Sequence, residues 1–153
     1  MNNGGQYLHD IIGLHQEEHQ RLREAITDLD SEGLNWTPGP DTSSIGTIIV
    51  HALGAEAEML RNILQIPTSR HRDAEFAPQT HELGNLLRLL DAADDDWQQL
   101  APRVQENDLR ALLPRPNKPD PQSGLFWLVR NYGHIREHRA QIELTKQLHK
   151  SRG

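Results

Sequence analysis

The spacing of apolar residues constrains the fold most strongly, because they recur at three- and four-residue intervals in four long stretches bounded by prolines. Such spacing places apolar side chains on one face of an α-helix, and the length of the stretches favours helices over strands. The stretches are residues 6–31, 44–65, 80–100 and 121–149. No strand-like alternation or internal repeat lies between them, so the sequence predicts an all-α four-helix bundle.

Capping chemistry marks the ends of these helices. Ser44 and the two residues before it can accept N–H bonds at the start of the second helix, and Gly33 is predicted to end the first. Asp120 and Pro121 have the order expected for the start of the fourth helix. Residues 66–79 can span the bundle's length, so the second and third helices can run parallel. Residues 102–120 are predicted to hold a short helix around 108–113 or to roof a site.

Composition excludes several classes of protein. The 153 residues carry a net charge of −6 without a basic run, which argues against nucleic-acid binding. No apolar run approaches the roughly 20 residues of a membrane span, and the N-terminus lacks a signal pattern. The absence of cysteine excludes disulfides and thiolate catalysis by the chain itself. We therefore predict a single cytoplasmic domain over residues 1–153.

Histidine placement carries the main functional information. His134 and His138 are four residues apart, so they lie one above the other on a predicted helix, with spacing that lets both bind one metal ion. His51, in the apolar part of the second helix, is a candidate third ligand. Three neutral histidines leave a divalent ion its full charge and an open position, as catalytic sites require. The alternative is an incidental histidine pair and a core histidine with one hydrogen bond.

Three further residues are candidates for a pocket near such an ion. His15 and His19 follow the apolar seam of the first helix, and Asn131 precedes His134 by one turn. They are interpreted as partners of the ligands or as groups that move protons. The alternatives are ordinary buried hydrogen-bonding residues or, for His15 and His19, a rival metal pair. Glu56 and Glu58 are interpreted as exposed helix carboxylates.

Several short motifs occur in an order that resembles a known family. They are LNWTP at residues 34–38, SIG at 44–46 leading to IVH at 49–51, RDAEF at 72–76 and GHIREHRAQI at 133–142. In order and spacing, across nearly the whole chain, they are similar to the DinB-like (YfiT-like) metal-dependent hydrolase superfamily. The resemblance implies an up-down-down-up four-helix bundle and a divalent ion, commonly zinc or nickel, held by His51, His134 and His138.

The resemblance implies the class of activity more weakly than the fold, because known members are thiol-dependent S-transferases, isomerases or hydrolases. We predict a metal-dependent enzyme that activates water or a low-molecular-weight thiol and acts on a small molecule. Because the chain has no cysteine, any thiol must be a cosubstrate. The alternative is a non-catalytic stress-response bundle that binds a metal or a small molecule. A homodimer is expected, because dimerisation is common for such bundles and compatible with catalysis. A third alternative is an interaction protein that dimerises through its bundle surface and has no working site.

Overall fold

The computed structural model describes residues 3–114 and 119–152. Long helices dominate these ranges, so the prediction of an all-α chain is confirmed. The helices are α1 (Asn3–Ile26), α2 (Ser31–Asn35), α3 (Ile45–Ile63), α4 (Arg72–Glu75), α5 (Leu83–Leu100), α6 (Glu106–Arg110) and α7 (Gly124–Ser151), with a 3-10 turn at Ala101–Arg103. None of the helices within the described ranges has the length and apolar character needed to cross a membrane.

The four long helices pack side by side, with α1 and α3 each lying against both α5 and α7. Glu18 contacts Arg139, and Ala25 contacts Lys146, so α1 and α7 run in the same direction. Thr47 contacts His81, just before α5, and Glu56 contacts Trp97, so α3 and α5 also run in the same direction. His19 contacts Asp94 and Arg23 contacts Asp91, so α1 runs opposite to α5. The helix faces predicted to be apolar therefore meet along a shared interior.

Two groups of buried residues form the core. The first joins all four long helices and includes Leu22, Ile26, Ile49, Leu90 and Ile135. The second closes the end of the molecule where α7 begins and includes Met59, Leu60, Trp97, Leu113 and Leu128. Burial of aliphatic side chains of this size contributes about 1.5–3 kcal/mol each. The core thus fixes the positions of α3 and α7, which carry the predicted metal ligands.

Two predicted helix ends are wrong. The first helix ends at Ile26, because Asp30 caps the separate helix α2 by accepting a hydrogen bond from the Gly33 N–H at 2.8 Å. Gly33 therefore lies inside α2 and does not end α1. The fourth long helix begins at Gly124 with Ser123 as its N-cap, after Pro121. Ser44 caps α3 as predicted, accepting from the Thr47 N–H at 3.2 Å.

The later start of α7 has a local cause in a small β-ladder that the sequence does not signal. Strands β1 (Leu112–Leu113) and β2 (Gln122–Ser123) pair antiparallel, so residues 122 and 123 are extended. Gly124 lies so close to the backbone oxygen of Asp108 that a side chain would collide with it. The short helix expected around 108–113 is α6, which begins at Glu106 and ends at Arg110, so residues 112 and 113 form a strand where helix was predicted. Residues 115–118, which belong to the predicted segment 102–120, lie outside the described residues.

Candidate metal centre

The structure brings His51, His134 and His138 together between α3 and α7. One ring nitrogen from each lies within 4.8 Å of the other two. The Nε2 atoms of His134 and His138 are 3.0 Å apart, and the ring centroids of His51 and His138 are 5.0 Å apart. Three converging imidazole nitrogens form a donor set that suits zinc, nickel and related divalent ions. The three histidines could therefore hold a metal ion.

The cluster is partly shielded from solvent, and this shielding keeps His51 and His134 uncharged. Burial lowers the pKa of His134 to about 4, with the charges of His138, His51 and two arginines acting in the same direction. Burial also lowers the pKa of His51, although Glu75 opposes this effect. Since a metal binds only the neutral imidazole, both side chains are in the ligand form at neutral pH.

Glu75, at the end of α4, fixes the orientation of His51. Its Oε1 atom lies 3.1 Å from His51 Nδ1. When Nδ1 donates its proton to this carboxylate, the lone pair of Nε2 is left for a metal. Arg70 holds the carboxylate in place through contacts of 2.7 Å to Oε1 and 2.9 Å to Oε2. Burial raises the pKa of Glu75, but the bonds from Arg70 and His51 outweigh it, so the net shift is downward.

Gly54 makes room for this arrangement in the middle of α3. A Cβ atom at this position would collide with Glu75 Oε2 and would lie 3.3 Å from Arg70 Nε. Glycine is a poor residue for a helix interior, so its presence there needs a reason, and the approach of Glu75 supplies one. The sequence patterns do not mark Glu75, Arg70 or Gly54 as site residues. The available signal was a glycine one turn after a candidate ligand, inside a helix.

Of the predicted pocket residues, Asn131 lines the cavity beside the histidine cluster, and His15 lies behind it. His15 is fully buried. Its Nδ1 donates to the Ile11 carbonyl at 2.9 Å, and its Nε2 accepts from Asn131 Nδ2 at 3.2 Å. His15 therefore orients the amide of Asn131. A catalytic role for Asn131 or His15 stays a prediction.

His19 lies in a buried network of charged groups. Its Nδ1 is 2.7 Å from Asp94 Oδ1 and its Nε2 is 2.6 Å from Glu56 Oε1, which also accepts from Trp97 Nε1 at 2.7 Å. Burial lowers the pKa of His19, but the two carboxylates raise it more, so the net shift is upward. Glu56 is 2% exposed, so its interpretation as an exposed carboxylate is wrong. All ring nitrogens of His15 and His19 have protein partners, which leaves none for a rival metal ion.

A cavity of about 730 Å³ adjoins His51 and His134. Its apolar lining consists of Ala55, Met59, Leu113, Pro114 and Trp127. Its polar lining, besides the two histidines, consists of Glu58, Asn62, Arg70, Arg72, Arg130 and Asn131. A volume of this size, with apolar walls and a few converging polar groups, is typical of small-molecule sites. A small molecule bound there would lie next to the histidine cluster.

In a comparison with known protein families, the family model of the DinB superfamily matches residues 14–142. Comparison with curated proteins gives no match. The matched region contains His51, His134 and His138 together with Glu75 and Asn131. It also covers the greater part of the 153 residues. The chain therefore belongs to the DinB superfamily, as the order of its motifs predicts.

Proposed function

We propose that the protein is a metal-dependent enzyme of the hydrolase or thiol S-transferase type. The observation that supports this most directly is the position of the three-histidine cluster, two of whose members, His51 and His134, line the cavity. Among residues 3–114 and 119–152, no fourth histidine, aspartate or glutamate joins the cluster. A structural metal site is normally closed by four side chains, whereas a catalytic site keeps one position for water or substrate.

A divalent ion, with zinc or nickel as the leading candidates, would supply a Lewis acid that lowers the pKa of a coordinated water or thiol. The chain's own residues prepare this site. Glu75 orients His51, and burial keeps His134 neutral. Asn131, held by His15, offers its amide to a bound molecule. Trp127 and Met59 provide apolar walls that displace water from the substrate.

We further propose that the long helices form an up-down-down-up four-helix bundle, which the directions of the α1–α7, α3–α5 and α1–α5 contacts support. A homodimer is proposed on the exposed apolar residues of α7, which are Leu125, Phe126, Val129, Leu144 and Leu148. Exposed apolar surface is typical of association sites. A Val129→Glu substitution should shift a dimer toward monomer in sedimentation experiments. The cytoplasmic location stays a prediction from the sequence.

Cobalt substitution tests the proposed function. Co²⁺ bound to three histidines has a visible spectrum that changes with its remaining ligands. We expect His9→Ala, a control that removes a solvent-exposed histidine, to give the parent spectrum, and His134→Ala to lose it. Addition of 2-mercaptoethanol should produce a new sulfur-to-cobalt absorption band in the parent protein. A spectrum indifferent to added thiol and to pH would indicate a closed site and favour the non-catalytic alternative.

Catalysis needs a second measurement. The zinc- or nickel-loaded protein should hydrolyse an activated ester or transfer a thiol to an electrophile, and these two substrates separate the two reaction types. Loss of turnover in His134→Ala, with retention in His9→Ala, is the expected result. Metal binding without turnover of either substrate would leave the protein a metal-binding module.

A further inference from the structure

The polar walls of the cavity carry an excess of positive charge. Three arginines line it, Arg70, Arg72 and Arg130, against a single carboxylate from Glu58. Arg70 is already neutralised, because it binds Glu75 in two places and Glu58 at 2.8 Å. The net positive charge of the cavity therefore comes from Arg72 and Arg130.

Arg130 is the better placed of these two arginines for binding a ligand. Arg72 already has a carboxylate neighbour, because its guanidinium lies 3.8 Å from Asp73. The guanidinium carbon of Arg130 lies 5.9 Å from the centre of the Trp127 ring. In the described part of the chain, Arg130 has no acidic partner. The undescribed segment 115–118 contains arginine, proline, asparagine and lysine, so it has no side-chain carboxylate to offer.

The position of Arg130 on α7 relates it to the metal centre. It precedes His134 by four residues, so the two side chains lie on the same helix face one turn apart. Trp127 lies on the same face, three residues earlier. A ligand that reaches from the histidines along this face would meet the Arg130 guanidinium one turn away and the Trp127 ring next to it. A planar guanidinium binds carboxylates and phosphates through two parallel hydrogen bonds.

We propose that the cavity selects an anionic small molecule, whose carboxylate or phosphate pairs with Arg130 while its reacting group lies at the histidine cluster. This inference rests on the proposed function, since it names the substrate class for that site. The bound divalent ion would add further positive charge near Arg130, which has no acidic partner among the residues that the structure describes. An anionic ligand would balance this charge at the exposed Arg130 guanidinium.

Matched probes test the proposal. Calorimetric titrations would use hexanoate, hexylphosphonate and the neutral hexanamide, with both the metal-free and the zinc-loaded protein. We expect the two anions to bind at least about tenfold more tightly than the amide, since a hydrogen bond to a charged group is worth that much or more. Preference between hexanoate and hexylphosphonate identifies the anionic group. Added salt should weaken anion binding but not amide binding.

Variants separate Arg130 from direct contact with the metal. Arg130→Gln should remove the preference for the anions, Arg130→Lys should keep part of it, and both should bind one zinc like the parent. Arg88→Gln is the control, because Arg88 lies on α5 outside the cavity lining and should leave all affinities unchanged. Zinc binding with an anion preference that survives Arg130→Gln would overturn the inference while leaving the proposed function intact. Absence of zinc binding would instead contradict the proposed function.

Discussion

Replacement of Gly54 by alanine tests how the site is built, because it changes one methyl group at the contact between α3 and α4. The added Cβ would collide with Glu75 Oε2 and would lie 3.3 Å from Arg70 Nε. The helix backbone itself accepts alanine, because Gly54 has no positive φ. The flexible carboxylate must therefore move away, and it loses its contact with His51.

Two effects of opposite sign determine how the substitution changes the free energy of unfolding. Alanine in a helix interior is about 1 kcal/mol more stable than glycine. Disturbance of the Arg70–Glu75 ion pair, whose side chains are only 15% and 10% exposed, costs about 1.5–3 kcal/mol, because its hydrogen bonds join charged groups. The free energy of unfolding of the metal-free protein should thus fall by no more than about 2 kcal/mol. Loss of the carboxylate behind a ligating histidine typically weakens metal binding about 10–100-fold, which is about 1.4–2.7 kcal/mol.

The assay pairs zinc affinity, measured by competition with a chromophoric chelator, with thermal unfolding of the metal-free protein. Gly13→Ala is the matched control, since Gly13 lies in α1 and nothing is within 4 Å of its added Cβ. It should stabilise the helix and leave zinc affinity unchanged. Glu75→Gln should reproduce the affinity loss without the helix gain. Parental zinc affinity in Gly54→Ala would refute the role assigned to Glu75.

Two further predictions concern protonation. In the metal-free protein, NMR should show His134 titrating with a midpoint near its lowered pKa of about 4. The unfolded chain already takes up this proton below the ordinary histidine pKa of about 6.5. The metal-free protein should therefore lose stability as the pH falls from about 6.5 to about 4. A titration midpoint near the ordinary value would contradict the burial argument. Glu56→Gln should lower the raised pKa of His19 and destabilise the fold by about 1–3 kcal/mol in urea unfolding, because it removes a buried charge that faces the imidazolium. Since that pKa is raised, the contribution of His19 to stability is complete below its ordinary pKa and is lost as the pH rises through the raised value; a His19 midpoint unmoved by the substitution would refute the pairing.

Patterns among residues close together in the sequence predict the features that depend only on local structure, such as helix positions. The helical periods locate the four long helices, and the spacing of His134 and His138 follows from one helical turn. His51 is less accessible to such reasoning, because its meeting with α7 is a tertiary contact. The order of family motifs supplies it. Helix ends are predicted less well, because Asp30 starts a new helix where Gly33 suggests an end.

The supports of the site could not be predicted from the sequence, for a physical reason. Glu75 belongs to a four-residue helix that has no hydrophobic period of its own, and its position depends on docking against α3. The same holds for His19, whose partner Asp94 lies 75 residues away along the chain. An apolar seam shows that His19 faces the interior. The seam does not show whether His19 contacts an ion, a cavity or a carboxylate in the interior.

The central claim is that His51, His134 and His138 bind one divalent ion. Elemental analysis of protein purified without an affinity tag or chelator tests it most directly, with His134→Ala and the surface control His9→Ala prepared in parallel. We expect about one zinc or nickel ion per chain in the parent and in His9→Ala, and none in His134→Ala. Absence of metal from the parent even after incubation with zinc or nickel, or full retention by His134→Ala, would contradict the account.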